Sequence, residues 1–133
     1  MARYCGADEA QVVVTEVLYV ALGGAVGSSL RFIIDRSYGD NSFPIATLTV
    51  NLVGAFLLGF MVGSLGQKLA PAVQLALFTG LLGGFTTFST FALESVELMR
   101  SGNAASALGY VVISIGIGVL LAFVGLLAGE AVT

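Results

Sequence analysis

Four stretches without a single charged residue, Val17 to Leu30, Phe43 to Gln67, Leu69 to Leu93 and Ser101 to Gly129, govern what this chain can fold into. Each supplies the roughly 20 apolar residues that a transmembrane helix needs, the first by continuing past Arg31 to Ile34 with the arginine at a rim. With 57% of its 133 residues hydrophobic and 10% charged, the chain leaves little to lie in water. It reads as an all-α integral membrane protein, multi-pass in a cell membrane. A tail over residues 1–16 precedes one four-helix membrane domain over 17–133, with spans of about 17–34, 44–66, 71–99 and 104–128.

Little outside the spans points to a partner. The formal charge of −3 is spread over termini and short loops, no basic run suggests nucleic acid, and Cys5 is the one cysteine, so no intrachain disulfide or cysteine metal cluster forms. The tail carries Asp8, Glu9 and Glu16 against Arg3, unlike a cleavable signal peptide, and is expected to be retained.

Within the spans, small residues mark the packing faces. Gly23, Gly24 and Gly27 with Ser28 and Ser29 on span one, and Gly59 with Gly63 on span two, let neighbouring backbones approach closely. Asp40, Asn41 or Ser42 can cap the second helix ahead of Pro44, and the turn around Gly66, Gln67 and Lys68 leads through Pro71 into span three, making spans two and three antiparallel neighbours. Tyr110, Ser114 and Gly118 recur every four residues on span four and share one face.

Span three is different. It starts as an ordinary apolar helix, Ala72 to Leu82, then meets Gly83-Gly84-Phe85-Thr86-Thr87-Phe88-Ser89-Thr90-Phe91 before Glu94, Glu97 and Arg100 return it to water. Glycine and β-branched threonine are poor helix formers, and irregular backbone at membrane depth survives only where protein buries it or a polar cavity lies alongside. Two half-helices joined by a break are expected. Its exposed carbonyls, at the negative end of a half-helix, could hold a sodium ion; alternatively the glycines make a packing kink whose carbonyls Thr86 or Thr87 recapture.

Around that break lie the other groups that could carry chemistry. Asn51, with Thr47 one turn before it, projects uncharged donors at membrane depth, either as an interhelical strap or as a pore lining, and Tyr110 and Ser114 pose the same choice. Phe88 and Phe91 are neighbours on a helical surface whose ring edges carry positive potential; they either pack or face an anion weakly enough to release it. Arg31 is a snorkelling anchor or an anion-attracting mouth, and Glu94, three residues past Phe91, is a rim or mouth group. No Asp, Glu, Lys or His occupies the centre of a span, so passive flow is the simpler expectation, and no nucleotide loop or nucleophile–base pair suggests an enzyme.

Even span number puts both termini on one side. Arg3 and Lys68 then oppose Arg31, Arg36 and Arg100, a balance that lets the chain insert either way and opens an antiparallel, dual-topology homodimer supplying the inverted repeat many transport proteins carry.

Gly23-Gly24 to Arg31-Phe32, Thr47 with Asn51, and GGFTTFSTF together resemble the Fluc (CrcB) fluoride channels, across all four spans and with only the tail outside. The resemblance implies an antiparallel dimer in the lipid bilayer with two fluoride pores and a central structural sodium held by the carbonyls of Gly83 and Thr86. It makes Asn51 a fluoride hydrogen-bond donor and Phe88 and Phe91 the aromatic edges. Thr47, Thr87, Ser89, Thr90, Tyr110 and Ser114 become polar-track or supporting residues, with Glu94 at the rim and Arg31 in the vestibule. Gly118 departs from the family pattern, which often has a second hydroxyl there, and relatives from two-gene systems pair as heterodimers. The implied function is passive, fluoride-selective export from the cytoplasm. Two other readings compete: a proton-coupled small multidrug-type exporter, which needs Glu16 inside a span that begins near Gln11, and a noncatalytic membrane subunit, which leaves Asn51 and the hydroxyl cluster unexplained.

Overall fold

The computed structural model describes residues 5–39, 41–66 and 68–133, and Arg3, Asp40 and Gln67, which figure in the charge balance, the cap and the turn above, lie outside them. It is built from helices: α1 (Cys5–Tyr38), α2 (Ile45–Leu65), α3 (71–85), α4 (Phe88–Arg100) and α5 (Ala104–Ala131). Four helical stretches, Ala10–Tyr38, Ile45–Leu65, Pro71–Arg100 and Ala104–Ala131, are long and apolar enough to cross a membrane.

Two expectations about element boundaries change. The stretch read as a tail is helical from Cys5, because nothing between Ala7 and Leu22 breaks a helix and Glu9, Ala10 and Gln11 favour one. Glu16 therefore sits inside the first apolar stretch, though near its end rather than its middle. At the start of α2, neither Asn41 nor Ser42 caps: Pro44 is the N-cap residue with no side-chain bond, and the Asn41 amide instead donates to the Tyr38 carbonyl at 2.7 Å, closing the end of α1. Gly39, with φ of 64°, supplies the left-handed residue that lets the chain leave α1 there.

Backbone-to-backbone contact pairs the helices. α2 lies along α5, and α1 lies along α3. A Cβ on Gly59 or Gly63 would collide with the carbonyls of Ala122 or Leu126, and one on Gly125 or Gly129 with those of Phe56 or Phe60. The α2 glycine face therefore serves α5, not the sequence-adjacent third span. Gly23 and Gly27 of α1 approach the carbonyls of Ala76 and Leu81 in the same way. Because the colliding atoms are backbone, a methyl at these sites forces the helices apart, at about 1–3 kcal/mol each.

The third span is less regular than expected. After one turn at Pro71–Gln74 it widens into a π-helix, Leu75–Leu82, where an ordinary α-helix was anticipated, then tightens again over Gly83–Phe85. Such widenings are rare and cluster at functional sites. Below the interruption that follows, Phe91, Leu98, Ala107 and Tyr110 form a buried cluster with Phe43, Leu48 and Val111 packed against it. Outward-facing apolar side chains such as Leu22, Leu108 and Val119 stay exposed on the single chain, as a lipid-facing surface requires.

Candidate functional site

Between α3 and α4 two residues leave the helix: Thr86 (φ −84°, ψ 156°) and Thr87 (φ −148°, ψ 114°) are extended. The glycine pair anticipated as the break is itself helical, with Gly83 at φ −65° and ψ −35°. The physical reason is packing on one side and side-chain shape on the other. A Cβ on Gly84 would press on the Gly24 carbonyl of α1 at 2.7 Å, so that glycine serves helix approach, whereas β-branched threonine is at ease in extended backbone.

An interruption strands polar groups, and most of those here find named partners. In a continuous helix the Gly83 carbonyl would accept from Thr87, Gly84 from Phe88, and Thr86 from Thr90. Instead the Thr87 N–H donates to Asn51 Oδ1 at 2.8 Å, while Asn51 Nδ2 donates back to the Thr87 carbonyl at 3.0 Å. An extended residue shows its N–H and C=O to one side, and the amide of Asn51 matches that pair. Arg31 Nε donates to the Gly84 carbonyl at 3.2 Å. The Leu82 carbonyl accepts from both the N–H and the hydroxyl of Thr86, each at 3.0 Å. Thr87 caps α4, its Oγ1 accepting from the Thr90 N–H at 3.3 Å and donating to Thr90 Oγ1 at 2.9 Å, with the Ser89 hydroxyl at 3.5 Å.

The amide of Asn51 carries two N–H groups, and the strap consumes one. Asn51 also lines an open cavity of about 380 Å³, together with Gly83, Thr86, Phe88, Phe91 and Ser114. Ser114 Oγ is buried there without a hydrogen-bond partner among the described residues, a rare state for a buried hydroxyl. Phe88 and Phe91 approach with centroids 5.7 Å apart, but their settings differ: Phe88 is 77% exposed, whereas Phe91 is 8% exposed and lies 5.1 Å from the Tyr110 ring.

On the far side of Thr87, which lines both spaces, a second cavity of about 310 Å³ holds Arg31, Ser28, Asp35, Thr47 and Thr90. Thr47 and Tyr110, both buried, converge on one carboxylate: the Thr47 hydroxyl donates to Glu94 Oε1 at 2.8 Å and the Tyr110 hydroxyl to Glu94 Oε2 at 2.7 Å. Glu94, read from the sequence as a rim or mouth group, is half-buried and clasped by two helices.

The thirteen residues singled out in the sequence lie at the interruption, line the two cavities beside it or, as Glu94 and Tyr110 do, join their lining through hydrogen bonds. Missed were Asp35, which follows Arg31 by one turn and so was detectable by spacing, and the Arg31 to Gly84 bond, for which the sequence holds no signal. No cluster of three His, Cys, Asp or Glu residues able to hold a metal occurs among the described residues. The backbone is another matter: with the Thr87 N–H taken by Asn51 and the Thr90 N–H by Thr87, the Gly83 and Thr86 carbonyls lose their helical donors, so a small hard cation fits the donor set.

Comparison with known proteins gives a consistent match. Residues 18–126 match the family described as CrcB-like protein, Camphor Resistance (CrcB). A protein of Aquifex aeolicus (strain VF5) named fluoride-specific ion channel FluC is 46% identical over 120 residues, covering 86% of this chain and 97% of the relative. Proteins of the same name from Methylobacillus flagellatus and Rhizobium meliloti are 42% and 40% identical, each over 83% of this chain and 91% and 92% of their own lengths.

Proposed function

Because the chain belongs to the CrcB family, we propose that it is a passive, fluoride-selective channel that lets the ion leave the cytoplasm across the cell membrane. The observation that carries this is the cavity beside the interruption, where the second amide N–H of Asn51 and the unpartnered hydroxyl of Ser114 meet the rings of Phe88 and Phe91. Fluoride, small and strongly hydrated, gains most from compact uncharged donors, while ring edges hold it loosely enough to leave. Thr87 lines both cavities, so its hydroxyl, with those of Ser89 and Thr90, forms the polar track between the Arg31 mouth and the aromatic pair. Thr47 and Tyr110 hold Glu94 beside it.

The channel is an antiparallel dual-topology homodimer with two pores, its third span broken at mid-membrane. The 77% exposure of Phe88 supports this, since a ring meant to line a pore needs an opposing wall. The Gly83 and Thr86 carbonyls would hold a structural sodium, which would supply fixed positive charge beside the pores.

Efflux from liposomes tests the function. Purified protein should release fluoride rapidly, chloride far more slowly, and both without an imposed proton gradient. Absence of fluoride flux from a folded dimer would sink the proposal, and flux that requires a proton gradient would instead favour a coupled exporter using Glu16.

A further inference from the structure

Arg31 reaches from α1 to the edge of the interruption. It lies on the α1 face of Gly24, Gly27 and Ser28, the face against which α3 packs backbone to backbone: a Cβ on Gly24 would lie 3.8 Å from the Gly80 carbonyl, and one on Gly84 would press on the Gly24 carbonyl. One turn past Gly27, Arg31 Nε donates to the Gly84 carbonyl at 3.2 Å, across 53 residues of sequence. That carbonyl is one of those that lost a helical donor when the chain turned extended at Thr86.

The carbonyls at the end of α3 and in the extended pair divide into two classes. Leu82 is served by Thr86, Gly84 by Arg31 and Thr87 by Asn51; Gly83 and Thr86 keep no helical donor because Asn51 and Thr87 have taken the N–H groups they would have used, and Phe85 loses its own where the chain turns extended. We infer that Arg31 is a positioning residue for the cation site: by occupying the Gly84 carbonyl through Nε it withdraws that oxygen and fixes the end of α3 so that the Gly83 and Thr86 carbonyls can converge on the ion. The inference deepens the reading above and rests on its sodium. The charge of the guanidinium is not what serves this purpose, since a positive charge near a cation opposes binding. The remaining guanidinium N–H groups belong to the cavity with Asp35 and Thr90, so a single side chain ties the anion mouth to the cation seat.

Two substitutions separate donor from charge. Glutamine places its Nε2 the same number of bonds from Cα as arginine places Nε, so Arg31→Gln keeps the donor and discards the charge. Lysine has a methylene there and carries its ammonium one bond further on, so Arg31→Lys keeps the charge and removes the donor from that position. The full-length dimer in detergent is titrated with sodium, N-methyl-D-glucamine holding ionic strength constant, and its thermal unfolding midpoint is followed. The wild type should be stabilised by sodium, and Arg31→Gln should show the same or a lower half-maximal concentration. In Arg31→Lys that concentration should rise about tenfold, as expected for losing one hydrogen bond to a charged donor.

A wild-type half-point in Arg31→Lys, or an upward shift in Arg31→Gln as large as that in Arg31→Lys, overturns the inference, as does a wild type that sodium leaves unchanged. Failure of Arg31→Gln alone to fold also overturns it, while failure of Arg31→Lys alone supports it; if neither folds, charge and donor are both required and the assignment to the donor falls. Fluoride efflux is measured in parallel on the wild type. No flux there rejects the channel and leaves the sodium titration to decide the role of Arg31.

Discussion

Replacing Asn51 by leucine removes both halves of the strap while keeping a side chain of similar bulk. The bonds lost are those of 2.8 Å to the Thr87 N–H and 3.0 Å to its carbonyl, and both backbone groups remain behind. A buried polar group left unmade costs about 1–3 kcal/mol. Hydrogen bonds between membrane helices are weaker on average, about 0.6 kcal/mol with an upper range near 2, because the displaced groups find other partners. Here the cavity beside Asn51 is open, so water can reach Thr87 in part, and the expected loss is about 2–3 kcal/mol for the pair. Asn51→Asp divides that loss: its carboxylate still accepts from the Thr87 N–H, but nothing donates to the carbonyl. Thermal unfolding of the purified dimer should therefore rank wild type above Asn51→Asp above Asn51→Leu. Fluoride efflux should follow a different order, with Asn51→Asp no better than Asn51→Leu, because a negative charge in the cavity repels the ion. Both should fall at least about tenfold, the worth of one donor to an anion. An Asn51→Leu protein with wild-type stability and wild-type flux would refute both the strap and the donor.

Ser114→Ala deletes a buried hydroxyl that has no partner among the described residues, so stability should be unchanged or higher by up to about 1 kcal/mol while fluoride flux drops; a clear loss of stability would show that the hydroxyl is bonded. Phe88→Ile and Phe91→Ile should part company on stability: Phe91 is buried against Tyr110 and should lose about 1–2 kcal/mol, Phe88 is exposed on the chain and should lose little, and efflux should fall in both. Thr87→Val keeps the backbone bonds to Asn51 but removes the cap of α4, which should lower stability by about 1 kcal/mol and, if the hydroxyl is a step on the track, slow fluoride further than that cost explains. Gly125→Ala should prevent a monodisperse dimer on size exclusion, since its Cβ meets the Phe56 carbonyl of α2; normal assembly would mean the helices can separate at no cost.

How much of this could be read in the sequence depends on the distance over which each feature is decided. Four spans, and three of their starts to within a residue or so, follow from local hydropathy with Pro44, Pro71 and Asn103 as punctuation. The first start does not, because a helix continuing beyond an apolar stretch into Glu9, Ala10 and Gln11 leaves no hydropathy edge. Glycine faces were legible as faces but not as partners: Gly59 and Gly63 meet α5, a choice made by the matching glycines 125 and 129. Among site residues, Asn51, Ser114 and the two phenylalanines announced themselves as polar or aromatic groups where lipid wants neither. The clasp on Glu94 was not legible, because it depends on Thr47 and Tyr110, which arrive from two other helices.

The placement of the interruption shows the same division at the scale of one residue. Local propensity alone favours a break at Gly83-Gly84, where two flexible residues adjoin, yet the chain stays helical there and opens at Thr86 and Thr87. Opening at the glycines would strand different groups, and α2 offers its amide opposite Thr87 rather than opposite Gly83. It would also move Gly84 off α1, losing the close approach and the donor that Arg31 supplies. An interruption in a low-dielectric setting persists only where its stranded groups find partners, so the partners decide its position. Since those partners come from α1 and α2, the third span by itself has no reason to break where it does. Which carbonyls are left without a helical donor is therefore a property of three packed helices.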